Sequence, residues 1–243
     1  MARPVTDSIW IGQLTPSSMS AAPYRRAILV LLDRWASDGT PPPPSLLPST
    51  SDRTLVNAQD VLAAYPKIPG VNLPKGPSHL PRYDYGAEFD SRGIMSVFPP
   101  QPVAGQEYPI RVPQIDADGN GVPGLRYPDV EVPLGTYNGW SLRRAGFAEG
   151  DQFWNTGSFV PFARTRAERI PSGDPRLSIE ERYGSHAAYV DALSRVCAAR
   201  VRERLMLQED ADRFIELARS RNPLDPAVPL GPLIPVLVAP GGA

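Results

Sequence analysis

The stretch Pro23-Tyr-Arg-Arg-Ala-Ile-Leu-Val-Leu-Leu-Asp-Arg-Trp-Ala-Ser-Asp-Gly39 decides how this chain is read. Tyr24, Ile28, Leu31, Leu32 and Trp35 recur at spacings of three and four, which predicts an amphipathic helix over 22–37. Pro23 suits its first turn and Gly39 sits where a C-terminal stop belongs. One apolar stripe needs a surface to cover it. The residues that follow offer none, because Thr40 leads into four prolines, a polyproline II spacer. The helix therefore looks built to lie against something outside its own neighbourhood. Residues 1–20 carry few order signals and read as an irregular N-terminus.

Beyond the spacer the periodicity changes. A short helix is expected at 57–64 and a loop over 65–81. From 82 to 136 the pattern shifts toward two. Ile94-Met-Ser-Val-Phe98 reads as a strand, and Val130-Glu-Val-Pro-Leu134 as a further extended piece. Glu107 to Ile115 alternates, but its prolines confine it to a sheet edge. The C-terminal part is helical again. Ser178-Ile-Glu-Glu181 fits a capping box closed by Gly184, and Ser185 can cap a helix over 186–206. That helix carries the stripe Tyr189, Leu193, Val196, Val201 and Leu205, and a partner at 208–220 offers Ala211, Phe214, Ile215 and Ala218. The two form a helical hairpin. The organisation is thus 1–20, irregular; 21–45, helix and proline spacer; 46–136, extended loop and small β region; 137–243, helical region with an apolar tail. The class is α+β, rich in loops and proline.

Composition narrows the function. Proline occurs 30 times in 243 residues, more than double the average usage of about 5%. The 25 basic and 26 acidic residues leave a formal net charge of -1. Nucleic acid and anionic membranes are poor partners for such a balance. Cys197 is the only cysteine, so it can take part in neither an internal disulfide nor a thiolate cluster, and a buried thiol is expected. No stretch is apolar enough over membrane-spanning length, and no apolar leader follows Met1, so a cytoplasmic location is expected.

Chemistry-bearing motifs are sparse. A hydrolase elbow requires Gly-x-Ser-x-Gly, and neither Gly139-Trp-Ser141 nor Gly157-Ser158 continues correctly. Phosphate loops and dinucleotide fingerprints are missing too, and no cofactor is expected. The two histidines, His79 and His186, have no local partners that suggest a triad. Asp116-Ala-Asp-Gly-Asn-Gly121 matches the first half of a calcium loop, but position twelve would be Tyr127. A tight turn is the better reading, and no metal site is expected. Tyr137, Trp140, Arg143 and Arg164 fall in two clusters of aromatics and arginines that could line a pocket. The same groups could equally serve packing and loop carbonyls.

Longer runs carry a resemblance. Gly157-Ser-Phe-Val-Pro-Phe-Ala-Arg-Thr-Arg-Ala-Glu-Arg169, Ser172-Gly-Asp-Pro-Arg176 and Ser178 to Gly184 are similar to the C-terminal part of a bacterial family of alpha/beta hydrolase domain-containing proteins. So are Leu32 to Trp35 with Asp38 to Ser45, Pro66 to Val71, Val112 to Asn120 and Pro133 to Trp140. The similarity spans about residues 24–220. It implies that helix 22–37 closes a hydrolase sheet whose strands lie upstream. It also implies a triad in the order serine, acid, histidine, the histidine just before that helix. Residues 1–20 contain no histidine, so no catalytic position can be carried over. The resemblance thus implies a fragment: the C-terminal segment of a hydrolase of ester or similar acyl bonds, with no complete hydrolase sheet, inactive alone and partnered by the missing upstream core. The alternative is a non-catalytic interaction module that binds a protein through helix 22–37.

Overall fold

The computed structural model describes residues 11–17, 19–77, 80–153 and 157–233. His79 and residues 234–243 of the apolar tail lie outside the described residues. In chain order the elements are β1 (Thr15–Pro16), α1 (Ala22–Asp38), β2 (Leu55–Asn57), α2 (Ala58–Ala64), β3 (Pro81–Asp84), α3 (Phe89–Arg92), β4 (Gln101–Glu107) and β5 (Arg111–Pro113). Then come α4 (Pro128–Glu131), β6 (Gly135–Asn138), β7 (Ser158–Pro161), α5 (Arg166–Ser172), α6 (Ile179–Tyr183), α7 (His186–Arg202) and α8 (Gln208–Ser220). The architecture is α+β with small sheets. Every named strand pair among the described residues is antiparallel.

The main core forms around the α7–α8 hairpin. Tyr189, Leu193 and Cys197 follow one another at intervals of four and are buried, facing Ala211, Phe214 and Ala218. Val196, Val201, Leu205 and Ile215 pack at the rim of this cluster. Local capping fixes where the helices begin. The Ser178 hydroxyl accepts the Glu181 N–H (3.2 Å), and the Glu181 carboxylate accepts the Ser178 N–H (2.9 Å), the reciprocal pair of a capping box. Ser185 accepts the Ala188 N–H (3.2 Å). Thr165 caps α5, a helix the periodicity did not announce.

A three-stranded sheet in the order β1-β7-β6 lies against this core. Tyr137 faces Phe159 and Asn138 faces Ser158 across the β6–β7 pair. All four residues of β6 are buried, so it shows no alternation of apolar and polar residues for a sequence reading to detect. A Cβ at Gly135 would stand 2.5 Å from the Val160 carbonyl oxygen and 2.6 Å from the Phe159 ring, so only glycine fits there. Arg176 bolts sheet to helices. Its guanidinium pairs with Asp174 (2.6 Å) and donates to the Thr136 hydroxyl (2.8 Å) and the Val160 carbonyl (3.0 Å).

Three expectations need correction. Residues 94–98 form no strand. The pairing strands β3 and β4 flank them, while Ser96 and Val97 donate their N–H groups to the Tyr85 carbonyl. Residues 130–134 are not extended, because Pro128 and the acidic Glu131 stand in the first turn of the short helix α4. Helix α1 forms as expected, with Pro23 in its first turn and Gly39 at φ 75° after its end, but its buried face is different. Tyr24, Ala27 and Leu31 are buried, while Ile28, Leu32 and Trp35 are each more than half exposed. Nor is α1 without a partner. The Arg26 guanidinium forms a two-point ion pair with the buried Asp210 of α8, and the Tyr24 hydroxyl donates to the Arg126 carbonyl (2.7 Å).

Candidate functional site

A cavity of about 480 Å³ opens where the β6 end of the sheet meets α2, β5 and the 116–121 turn. Its floor is the run Tyr137-Asn138-Gly139-Trp140. One wall comes from α2, through Val61, Leu62 and Tyr65. Val112 and Ile115 close another side. Prolines keep the surrounding loops extended, since they fix φ and cannot enter a ladder.

The polar groups of the floor are arranged in a chain. The Tyr65 hydroxyl donates to Asn138 Oδ1 (2.5 Å), Asn138 Nδ2 donates to Ser158 Oγ (3.1 Å), and Ser158 Oγ donates to the Trp140 carbonyl (2.8 Å). Burial pushes the Tyr65 hydroxyl up to about 12, so at neutral pH it stays protonated and donates. The Trp140 ring stands 6.0 Å from that of Tyr65 at a tilt.

The turn that resembled half a calcium loop supports this floor instead. Asp116 Oδ1 accepts the N–H groups of Asp118 and Asn120 (both 2.9 Å). The Asp118 carboxylate pairs with Arg182, and its carbonyl accepts the Thr136 hydroxyl. Asn120 is fully buried and runs along the free edge of β6. Its Oδ1 accepts the Tyr137 N–H (2.8 Å) and its Nδ2 donates to the Gly135 carbonyl (3.2 Å). One side chain thus satisfies two edge groups that a neighbouring strand would otherwise satisfy.

The residues singled out from sequence separate. Tyr137 and Trp140 are both on the cavity lining. The Tyr137 ring packs on Phe159 at 5.0 Å, and burial holds its hydroxyl well above the ordinary value. Arg143 lies off the cavity with its guanidinium 5.6 Å from the centre of the Phe153 ring. Arg164 is remote from both and donates to the carbonyls of Pro223 and Val228 (2.6 Å for the latter). Asn138 and Tyr65 were missed. Tyr65 ends a short helix and signals nothing alone, and Asn138 acquires its role only through pairing.

The model of the alpha/beta hydrolase domain family matches residues 4–216, which takes in the whole cavity. The chain belongs to the alpha/beta hydrolase domain family. No curated protein and no solved structure matches it.

Hydrolases of this kind need a serine activated by a histidine. Among the described residues no serine hydrogen-bonds to a histidine. Ser158 is held by Asn138 and Trp140 as described. His186 meets the Ala218 carbonyl through Nε2 (2.7 Å), tying the start of α7 to the end of α8. Cys197 is no substitute, since burial pushes its thiol up to about 12 and leaves it unreactive. No helix among the described residues is long and apolar enough to cross a membrane.

A second surface stands apart from the cavity. Ile28, Leu32 and Trp35 of α1 face a shallow groove with Pro42 to Leu47.

Proposed function

We propose that this chain is the C-terminal part of a hydrolase of ester or similar acyl bonds, and that it supplies substrate-binding surface and not the reacting serine. The observation that carries this reading is a combination. The family match spans a formed cavity, yet among the described residues no nucleophile stands beside a base. The serine and histidine come from a hydrolase core encoded upstream, in the same or a split gene product. Pocket-lining roles fall to Tyr137 and Trp140. Arg143 and Arg164, on the present geometry, hold loops. No cofactor is part of this reading.

The test is to express the chain together with its upstream coding region and to assay short-chain activated esters. The reading expects turnover that a serine-directed inhibitor abolishes. An upstream frame without Gly-x-Ser-x-Gly, or a silent combined protein, would overturn it.

The exposed face of α1 favours a second reading, an interaction module that binds a protein through helix 22–37. The partner separates the two: a hydrolase core in the first case, an unrelated protein in the second.

A further inference from the structure

Three features of the cavity bear on what it holds. Among the described residues no charged side chain lines it, although the sequence carries 51 acidic and basic residues. Burying a carboxylate or phosphate there would leave it uncompensated, which is costly. The floor chain from Tyr65 through Asn138 to Ser158 is mutually satisfied, so it asks nothing of a ligand. The Trp140 indole N–H and the Gln152 carboxamide, by contrast, have no hydrogen-bond partner among the described residues. The indole N–H can only donate. Trp140 is half-buried, so this N–H can be offered to an acceptor such as a carbonyl oxygen.

We infer that the cavity between α2 and Trp140 binds a neutral, ring-bearing carbonyl compound, its ring against Tyr65 and Trp140 and its carbonyl oxygen on the Trp140 N–H. Charged acids of the same shape are rejected. This rests on the proposed hydrolase reading for its biological meaning, where the ligand is the acyl side of a neutral ester. The binding itself does not depend on turnover.

Two glycines make the inference testable without dismantling the fold. Gly121 and Gly139 both line the cavity. A Cβ at either would meet no atom within 4 Å, and neither has the left-handed φ that only glycine tolerates well. Both glycines line the cavity and a Cβ at either meets open space, so a leucine there is expected to compete with the ligand. Gly119 is unsuitable, since its φ is +83° and a Cβ would stand 3.1 Å from the Tyr65 ring.

The experiment titrates the full chain with 2-acetylnaphthalene and, separately, with 2-naphthoate at pH 8, followed by ligand-observed NMR. Saturable binding of the ketone is expected, with the anion at least roughly tenfold weaker because its charge loses water without a counter-ion. Gly121→Leu and Gly139→Leu should each weaken the ketone at least about tenfold while leaving the thermal melt in place. Trp140→Phe should weaken it several-fold by removing the donor. Equal binding of ketone and anion, or full binding in both glycine variants, overturns the inference. Should Gly121→Leu not fold, Gly139→Leu decides alone. An esterase assay that stays silent leaves the binding result standing. Turnover with upstream sequence but no ketone binding would sink the cavity assignment and spare the hydrolase reading.

Discussion

The two ends of this molecule's stability lie within one chain. In α6 to α8, Ile179, Tyr189, Leu193, Cys197, Phe214 and Ala218 are almost wholly removed from water. From residue 81 through 113 not one residue is buried. That arm contains the β3–β4 pair and β5, which pairs with β2 in a sheet of two strands. Two-stranded sheets are marginal without further packing. The lesson is that regular hydrogen bonding does not make a core. A stripe repeating every four residues on two facing helices does. The cavity sits where the regimes meet: its floor belongs to the sheet that packs on the helical body, and part of its wall to β5 at the end of the arm.

The contrast breaks most visibly at Phe214. Its ring lies at the centre of the α7–α8 core, so Phe214→Ala should cost about 3–5 kcal/mol in chemical unfolding. A cost below about 1 kcal/mol, the range of exposed sites, would mean the hairpin is not the stable part.

Next in size is a pH effect at the edge of the same core. Burial pushes the Asp129 carboxyl up to about 7, against the Leu233 N–H that donates to it at 3.1 Å. A raised folded value means the neutral form is the one the fold prefers. Stability is therefore full below the unfolded value near 4, falls as pH rises toward 7, and levels off above. The span is at most about 4 kcal/mol by linkage. Glu181, held down to about 2 chiefly by Arg169, acts in the opposite sense, losing its contribution as pH falls below about 4.5. Stability should thus peak near pH 4–5, and Asp129→Asn should flatten the neutral limb. A melt that rises steadily from pH 5 to 8 would contradict the assignment.

Smaller effects sharpen the comparison. Ser178→Ala removes one half of the α6 capping box and should cost about 1 kcal/mol. In the arm, Phe98 is 86% exposed. Phe98→Ser should change the melt by no more than about 0.5 kcal/mol. Hydrogen exchange should show the same order, with amides of 186–220 slower than those of 81–107. The reverse order would undo the division.

The same division explains what the sequence disclosed. The long helices were legible because a buried stripe and its caps are local: Pro23, Gly39, Ser178, Gly184 and Ser185 sit where the structure uses them. The arm was not. Its strands β3 and β4 contain Pro81, Pro102 and Gly105, and their side chains face water, so no alternation marks them. Ile94 to Phe98 has the composition of a strand but no sheet to join. Sheet β6 escaped for the opposite reason, being buried on both faces. At the cavity, Trp140 and Tyr137 stood out as aromatics, whereas Tyr65, Asn120 and Asn138 matter only through partners 15 to 73 residues away. The face of α1 was half right: its stripe exists, but Tyr24 with Ala27 and Leu31 turns inward while Trp35 stays out.

We propose that this chain supplies the binding end of an acyl hydrolase without its reacting serine. The most direct measurement gives the purified chain short-chain activated esters, with and without a serine-directed inhibitor. The account predicts a rate no different from buffer in either case. Turnover well above buffer that vanishes on inhibitor treatment would contradict it, since a serine and its base would then have to lie within this chain.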